Sequence, residues 1–152
     1  PKENVELLSL AGEVAEDLRP AADKRSLTIS VDGQTAVVFG VRRLLYEMLY
    51  NLCDNAIKYN RPGGSVRIHV ESRAQDAVVS VLDTGIGIAP EHQSRIFERF
   101  YRVDKSHSKA SGGTGLGLSI VKHAAMYHGG KVELESQVGS GTEIRVTLPL
   151  PR

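Results

Sequence analysis

The segment 41-VRRLLYEMLYNLCDNAIKYN-60 constrains the fold more strongly than any other part of this 152-residue chain. At about 100° per residue, its apolar side chains fall on one face of a helix, and that face must be buried against another element. The side chains on this face are Val41, Leu45, Met48, Leu49, Leu52 and Ala56. The turn cluster 60-NRPGG-64 follows, so the sequence predicts a helix over residues 41–59 that packs on a sheet.

Six short segments with alternating or continuous apolar residues predict that sheet. They cover residues 27–33, 35–40, 65–72, 77–83, 131–136 and 142–149. The first two flank an Asp-Gly pair, which predicts a hairpin. Further helices are predicted over 5–24 and 116–128, with a short helical piece at 91–100. Since strands and helices do not alternate regularly, we predict an α+β, two-layer sandwich with helices on one face of a largely antiparallel sheet.

The charge balance and the cysteine count exclude several classes of function. The formal net charge is +1, so no global attraction to nucleic acid or to an anionic membrane is expected. The only cysteine, Cys53, can form neither an intrachain disulfide nor a cysteine-rich zinc site. The chain begins at Pro1 rather than at methionine, and we interpret it as a piece of a longer protein.

The glycine-rich stretch 112-GGTGLGLSIVKHAAMYHGG-130 opens the last predicted helix. It lacks the Lys-Ser or Lys-Thr of a P-loop, and its glycine spacing does not fit the dinucleotide-binding fingerprint. A helix N-terminus with nearby glycines still favours anions, because its N–H groups are unpaired and closely approachable. A flexible loop that happens to precede a helix remains the alternative interpretation.

A polar stripe lies beside the apolar face of the helix predicted over 41–59. Glu47, Asn51, Asn55 and Lys58 fall within about 80° of arc. An amide oxygen is a hard, neutral ligand that suits Mg²⁺, and a lysine can pair with a phosphate. A solvated polar face is the alternative, although asparagine is a mediocre helix former in mid-helix.

Asp83 follows the apolar run 78-VVSVL-82 and precedes 84-TGIGIAP-90. A carboxylate at a strand end can accept a hydrogen bond from a ligand amine, and Gly85 and Gly87 allow a flat ring to approach closely. The alternative is an ordinary Asp-Thr-Gly turn.

Five segments in this order resemble the motifs of the ATP-binding catalytic domain of sensor histidine kinases, within the gyrase, heat-shock chaperone, histidine kinase and mismatch-repair superfamily. They are 51-NLCDNAIKY-59, 83-DTGIGI-88, 96-IFERFYR-102, 113-GTGLGLSIVK-122 and 139-GSGTEIRVTLP-149. We assign residues 1–152 to one such domain, without the helical dimerisation domain. The resemblance implies a Bergerat-type α/β sandwich with a mixed, mostly antiparallel sheet, three helices on one face, and a long ATP lid at about 89–114.

The resemblance implies a role for each matching residue. Asn55 is expected to bind Mg²⁺ with support from Asn51, and Lys58 to contact the phosphates. Asp83 is expected to accept from the adenine amino group, with Thr142 nearby. The other residues assigned to ATP binding are Tyr59, Gly85, Ile86, Gly87, Ile88, Tyr101, Arg102, Gly113, Thr114, Gly115, Leu116, Gly117 and Leu118.

The resemblance also assigns residues to phosphoryl transfer and to the lid. The expected catalytic residues are Asn51, Lys58, Arg99 and Arg102, the two arginines as candidates for the γ-phosphate. Phe97 and Phe100 are expected to anchor the lid, with simple packing as the alternative. The glycines at 113, 115 and 117 are expected to let it swing.

In this family the phosphate passes to a histidine that is followed by an acidic residue on a dimerisation domain. None of the five histidines here is followed by Asp or Glu. The domain is therefore expected to bind Mg-ATP for two-component signalling without phosphorylating itself. Its expected partners are the dimerisation and phosphotransfer domain of the same parent and the receiver domain of a response regulator. We expect a monomeric fragment, and a homodimeric parent in the inner membrane with this domain in the cytoplasm.

Three other functions remain as alternatives. A hydrolytic ATPase of the gyrase type carries a glutamate, as general base, where this chain has Asn51, and an amide cannot take a proton at neutral pH. A non-enzymatic nucleotide-sensing module is disfavoured by the intact motifs. A nucleic-acid binder would use a basic aromatic patch formed by Arg42, Arg43, Tyr46, Tyr50 and Tyr59. The low net charge disfavours that reading.

Overall fold

The structure, a computed structural model, describes residues 1–99, 101 and 117–151. The predicted α+β class is confirmed. The helices are α1 (Leu7–Lys24), α2 (Arg42–Lys58), α3 (Pro90–Gln93) and α4 (Gly117–Tyr127). The strands are β1 (Glu3–Glu6), β2 (Thr28–Gly33), β3 (Val37–Gly40), β4 (Ser65–Ser72), β5 (Asp76–Asp83), β6 (Lys131–Gln137) and β7 (Gly141–Pro149). The helix predicted at 91–100 is confined to α3, which turns follow.

Five strands form a mixed sheet in the order β2-β4-β5-β7-β6. Among the strands that the structure describes, β2 and β4 pair in parallel, and the other pairs of this sheet are antiparallel. Strands β1 and β3 form a separate antiparallel pair. The hairpin predicted for β2 and β3 is therefore wrong. At Gly33, with φ +120°, a Cβ atom would lie 2.1 Å from the backbone oxygen of Val70, so the Asp-Gly pair fits β2 against β4 instead of turning it towards β3.

The first helix also starts later than the sequence predicts. Residues 3–6 form β1, and the helix begins at Leu7. The carboxylate of Glu6 accepts hydrogen bonds from the backbone N–H groups of Leu8 at 2.9 Å and Ser9 at 3.0 Å. These are N–H groups that a helix N-terminus leaves unpaired. Glu6 thus acts as the N-cap. Because apolar residues lie on both sides of it, the sequence pattern did not indicate where the strand ends and the helix begins.

The core lies between the helices and the inner face of the sheet. On α2, the predicted apolar face is confirmed, since the side chains from Leu45 to Leu52 on that face are at most 1% exposed. Burial of each such side chain contributes roughly 1.5–3 kcal/mol. Cys53, next to this face, is fully buried, and burial raises the pKa of its thiol to about 12. The helix is therefore fixed firmly relative to the sheet.

The outer face of the sheet carries charged side chains. Arg67 donates to Asp32 at 2.7 Å and 2.9 Å, and His69 Nδ1 lies 2.5 Å from the same carboxylate. These hydrogen bonds lower the pKa of Asp32 to about 2, and the bond from Arg67 contributes most. On the same face, towards the β6 edge of the sheet, Arg145 pairs with Glu135 at 2.7 Å. Among the described residues, the helices thus cover one face and leave the other polar.

Helices α2 and α4 pack side by side and run in opposite directions. At one end, a Cβ atom built on Gly117 would lie 3.2 Å from Asn51 Oδ1. At the other end, the backbone N–H of Val41 donates to His128 Nε2 at 3.0 Å, and His128 Nδ1 donates to Ala124 O at 2.7 Å. His128 thus joins the two helix ends. No described helix has the length and apolar character that a membrane span requires.

Candidate functional site

Asp83 ends β5 opposite Thr142 on β7. Its Oδ1 atom accepts a hydrogen bond from the backbone N–H of Gly85 at 2.9 Å. Burial raises the pKa of Asp83, and the N–H groups of Gly85 and Thr142 partly oppose that shift because they stabilise the ionised form. The result is a partly buried carboxylate with a fixed direction, which can accept a hydrogen bond from a ligand donor.

The turn after Asp83 has no room for side chains at its glycines. A Cβ atom on Gly85 would lie 2.4 Å from the backbone oxygen of Tyr59. Gly87 has φ +76°, and its Cβ would lie 2.2 Å from Gln137 O. The N–H of Ile86 donates to Tyr59 O at 3.1 Å. The turn therefore contacts both the end of α2 and the loop between β6 and β7.

The polar stripe of α2 runs along the helix from Glu47 to Lys58, and the turn contacts the helix just after Lys58. Asn51 Nδ2 donates to Glu47 O at 2.7 Å, which leaves its amide oxygen on the side of Gly117. Lys58 forms an ion pair with Asp54 at 2.9 Å, and each side chain is 27% exposed. Asn55, one turn after Asn51, is partly exposed.

The donor set of this stripe limits the kind of metal that it can hold. Within residues 1–99, 101 and 117–151, no cluster of three or more His, Cys, Asp or Glu side chains could hold an ion. Amide oxygens remain, from Asn51 and Asn55. This set fits Mg²⁺, which keeps several waters and is held by one or two protein oxygens together with substrate phosphates.

Arg61 connects the segments around the turn, and the sequence analysis did not identify it. Its guanidinium donates to the backbone oxygens of Gly139 at 2.7 Å and Gly85 at 3.3 Å. The arginine thus joins the loop after α2 to the other two glycine-containing loops. A lone arginine in a turn cluster carries no pattern that predicts such contacts.

Ser136 and Gln93 were also missed by the sequence analysis. Ser136 Oγ accepts from the N–H of Ile88 at 2.8 Å and lies 2.7 Å from Thr142 Oγ1. Gln93 Nε2 donates to the backbone oxygens of Ile88 at 2.8 Å and Ser136 at 3.2 Å. Both side chains therefore fix Ile88, one of the predicted binding residues, against β6. A serine in an alternating strand gives no indication of this role.

The segment after α3 returns to the core. Ile96 is 5% exposed, and Phe97 packs against the core as a partly buried side chain. The hydroxyl of Tyr101 bonds to His92 Nδ1, and the Arg95 guanidinium lies 4.4 Å from the centroid of the Tyr101 ring. Phe97 thus packs on the core, which agrees with the expected lid anchor and equally with its alternative, simple packing. Tyr101, an expected ATP-binding residue, has its hydroxyl bonded to His92 within the same segment.

Strand pairing and hydrogen bonds join several of the described candidate residues. Asp83, the following turn and Thr142 lie together, and a hydrogen bond joins the turn to the end of α2, next to Lys58 of the polar stripe. Gly117 lies beside Asn51, while Leu118 packs against the core. Arg99 is exposed. The predicted residues that lie outside the described part are Phe100, Arg102, Gly113, Thr114, Gly115 and Leu116.

Comparison with known families gives a match over residues 40–152 to the model described as histidine kinase-, DNA gyrase B-, and HSP90-like ATPase. The chain is 42% identical over 146 residues to the sensor-like histidine kinase SenX3 of Mycolicibacterium smegmatis, covering 95% of the chain and 38% of SenX3. It is 40% identical over 146 residues to the sensor histidine kinase RppB of Synechocystis sp., covering 95% of the chain and 32% of RppB. The chain thus spans well under half the length of these relatives.

Two solved structures share the fold over almost the whole chain. The mycobacterial sensor histidine kinase MprB superposes with a TM-score of 0.86 at 28% identity, covering 100% of both chains. Full-length ShkA in complex with AMPPNP superposes with a TM-score of 0.86 at 29% identity, covering 97% of this chain and 31% of ShkA. Sequence and fold therefore lead to the same group of proteins.

Proposed function

We propose a function for this chain from the premise that it belongs to the family of histidine kinase-, DNA gyrase B-, and HSP90-like ATPases. Its relatives are sensor histidine kinases, and it is a histidine kinase catalytic domain. In our proposal, it binds Mg-ATP and supplies the γ-phosphate to a histidine on a separate dimerisation domain, in two-component signal transduction.

One observation carries this proposal. The backbone hydrogen bond from Ile86 N–H to Tyr59 O, at 3.1 Å, joins the turn after Asp83 to the end of α2. A carboxylate suited to a base amine and a stripe suited to a metal triphosphate are therefore held at a fixed relative position. A nucleotide needs both features at once, whereas a solvated face or an ordinary turn needs neither.

At the base end, Asp83 would accept a hydrogen bond from the adenine amino group. Its Oδ1 already accepts from Gly85 N–H at 2.9 Å, so the carboxylate has a fixed orientation before the base arrives. Partial burial strengthens such a bond, because little water competes with the ligand. Gly85 and Gly87 would allow the flat ring to lie close to the backbone.

At the phosphate end, Asn55 would bind Mg²⁺ and Asn51 would support it or its waters. When bound, Mg²⁺ neutralises charge on the phosphate oxygens. Lys58 would contact a phosphate after leaving Asp54, to which it is paired at 2.9 Å. Because the Asn51 amide takes up no proton at neutral pH, it cannot activate water as a glutamate would. The site therefore favours transfer to an incoming nucleophile over hydrolysis.

The acceptor belongs to another part of the parent protein. A neutral imidazole nitrogen would attack the γ-phosphorus, a nitrogen–phosphorus bond would form, and the bond to the β,γ-bridging oxygen would break to release ADP. Positioning and charge stabilisation supply most of the catalysis in such transfers. The candidates Arg99 and Arg102 would stabilise γ-phosphate charge.

The wider assignments concern the whole parent protein. The matched relatives are much longer than this chain, which covers 38% of SenX3 and 32% of RppB. We propose that the parent is a membrane-anchored homodimer, with this domain on the cytoplasmic side. Its partners would be the dimerisation and phosphotransfer domain of the same parent and a receiver domain of a response regulator.

Calorimetric titration with ATP, with and without Mg²⁺, tests the nucleotide site. Asn55→Ala should weaken Mg²⁺-dependent ATP binding at least about 10-fold, as loss of a metal-site group does. Its thermal unfolding should change little, since Asn55 is partly exposed. Asn4→Ala, at an exposed asparagine of β1, is the matched control and should bind normally. Equal ATP affinity with and without Mg²⁺ in the unchanged domain would contradict the metal role.

Incubation of the domain alone with radiolabelled ATP tests the transfer step. We expect no stable phosphohistidine, because no histidine of the chain is followed by an acidic residue. Acid-labile label on the isolated domain would refute this expectation. Steady phosphate release at a rate typical of a hydrolase would instead favour the ATPase alternative.

A further inference from the structure

Three polar residues form a row across neighbouring strands at the base end. Asp83 on β5 is the cross-strand partner of Thr142 on β7, and Thr142 is in turn the partner of Ser136 on β6. Directly paired residues of adjacent strands point to the same face of a sheet. All three are partly buried. The proposed function uses Asp83, and Thr142 is the residue expected near the adenine amino group, while Ser136 has no role in that function.

Ser136 has three hydrogen-bonding neighbours and a single proton. The N–H of Ile88, at 2.8 Å, can only donate, and the backbone oxygen of Gly141, at 3.0 Å, can only accept. The third neighbour is the hydroxyl of Thr142, at 2.7 Å, which can do either. If Ser136 donates its proton to Gly141, it must accept from both other groups. All three bonds form together only when Thr142 donates its proton to Ser136.

We propose that Ser136 is a positioning residue that sets the purine preference of the site. It accepts a hydrogen bond from the Thr142 hydroxyl, so that Thr142 presents only acceptor lone pairs to the base. This inference rests on the proposed function, because it assumes that the base binds beside Asp83 and Thr142.

As a consequence, Asp83 and Thr142 offer hydrogen-bond acceptors to the base and no donor. A 6-aminopurine presents N–H donors at this position, which match the Asp83 carboxylate and the Thr142 oxygen. A 6-oxopurine presents a carbonyl oxygen there, which faces two acceptors and gains no bond. A site built for one hydrogen-bonding pattern rejects the other because a polar group is left unpaired.

A second contact supports the assignment of Ser136 to the site. Its hydroxyl fixes the N–H of Ile88, and Gln93 Nε2 bridges the backbone oxygens of Ile88 and Ser136 at 2.8 Å and 3.2 Å. Ile88 ends the glycine turn that begins after Asp83. Ser136 therefore contacts both Thr142 and the end of the turn that follows Asp83.

Affinities for Mg-ATP and Mg-ITP in Ser136→Ala test this role. Inosine replaces the 6-amino group by an oxo group without adding a 2-amino group, so it isolates the 6-position. In the variant the Thr142 hydroxyl can turn and donate to the oxo group. We expect the ratio of the ITP to the ATP dissociation constant to fall about 5- to 10-fold, the size of one hydrogen bond.

Two variants serve as controls. Ser136→Thr keeps the hydroxyl and suits a strand, so it should retain the wild-type ratio. Ser140→Ala removes an exposed serine from the loop between β6 and β7 and should also retain it. If Ser136→Ala weakens both nucleotides by the same factor, Ser136 only supports the loop and the proposal is overturned. If the unchanged domain binds neither nucleotide, the proposed function itself fails.

A double-mutant cycle shows whether Ser136 acts through Thr142. Thr142→Val removes the hydroxyl, and we expect the ratio to fall to a similar extent. In that background, Ser136→Ala should change the ratio no further, since the group that it orients is gone. A further fall in the double variant would overturn the mechanism. Should Ser136→Ala not fold in thermal unfolding, Thr142→Val alone carries the test, and an unchanged ratio there would overturn it.

Discussion

The two ends of the candidate site are built in different ways. At the base end, Asp83 and the turn after it are fixed by other segments of the chain, through strand pairing with β7 and backbone hydrogen bonds from the turn to Tyr59 and Gly139. At the phosphate end, the side chains are held by their own helix. Asn51 bonds to Glu47 O four residues earlier, and Lys58 pairs with Asp54 four residues earlier.

The base end is therefore defined by how segments of the backbone fit together, and the phosphate end by polar and charged side chains. The base end depends on close backbone contacts between distant segments, so changes that disrupt those backbone contacts should act on the fold and on binding together. The phosphate end depends on local side-chain contacts on one stable helix, so changes there should act on binding alone. The following variants test this contrast, from the largest expected effect to the smallest.

Gly141→Ala should have the largest effect, because a backbone contact of the base end leaves no space for it. Gly141 has φ +124°, and a Cβ atom would lie 2.0 Å from the backbone oxygen of Asp83. We expect the free energy of unfolding, measured by urea denaturation, to fall by about 3 kcal/mol. The affinity for ATP should fall as well. Gly139→Ala is the control, since Gly139 has φ +86° with nothing within 4 Å of its Cβ. Equal losses in both variants would contradict the steric cause.

Asp83→Asn should weaken ATP binding about 10- to 100-fold without lowering stability at neutral pH. Burial raises the pKa of Asp83 in the folded protein. The carboxyl therefore favours folding when protonated, and this contribution is lost as the pH rises through the raised folded-state pKa. An asparagine side chain does not titrate, so its contribution to stability does not change over this pH range.

Urea denaturation of both proteins at about pH 4 and about pH 7 checks this sign. The stability of Asp83→Asn relative to the wild type should be greater at the higher pH. A relative stability that falls as the pH rises would show that the folded protein stabilises the ionised form.

Asp54→Asn should strengthen ATP binding by about 3- to 10-fold, because it releases Lys58 and removes a negative charge near the phosphates. The Asp54–Lys58 distance is 2.9 Å and both groups are partly exposed, so stability should hardly change. Calorimetry at low and high salt measures the effect, which should shrink as salt screens it. Glu16→Gln, at an exposed acid on α1, provides a charge-matched control. Weaker binding by Asp54→Asn would assign that carboxylate a positive role in the site.

Val41→Asp should have the smallest effect and should be stabilising. Val41 occupies the N-cap of α2 and supplies no side-chain hydrogen bond. An aspartate there can accept from the unpaired N–H groups of the first turn, which contributes about 0.5–1 kcal/mol. Thermal unfolding measures the gain, and Val138→Asp, at a valine that is 62% exposed, is the control. A loss of stability would mean that the partly buried valine contributes more by packing.

The sequence predicted the elements of this fold better than their pairing. The helix α2 was predicted within one residue at each end, because its apolar period is local information. Strand β2 was assigned the wrong partner, since its parallel pairing with β4 joins Thr28 to Ser65 across the intervening helix. Strand β1 was missed because its apolar residues merge with those of α1, and only the carboxylate of Glu6 marks the boundary.

The candidate site follows the same division. Asn51 and Asn55 were candidates from the sequence alone, because two asparagines one turn apart beside a buried face are unusual in a helix. Asp83 was a candidate because it lies at a strand end before glycines. Arg61 and Ser136 were not, because their contacts depend on which loops and strands meet. No short-range sequence pattern indicates which loops and strands come into contact.

The buried position of Cys53 makes the domain convenient for site-selective labelling. The thiol is fully buried and its pKa is raised to about 12, so little reactive thiolate exists at neutral pH. Since the chain has no other cysteine, one introduced on the charged outer surface of the sheet would be the preferred target of a thiol-directed dye. A fluorescent reporter could then follow nucleotide binding from the opposite side of the molecule while the native cysteine stays in place.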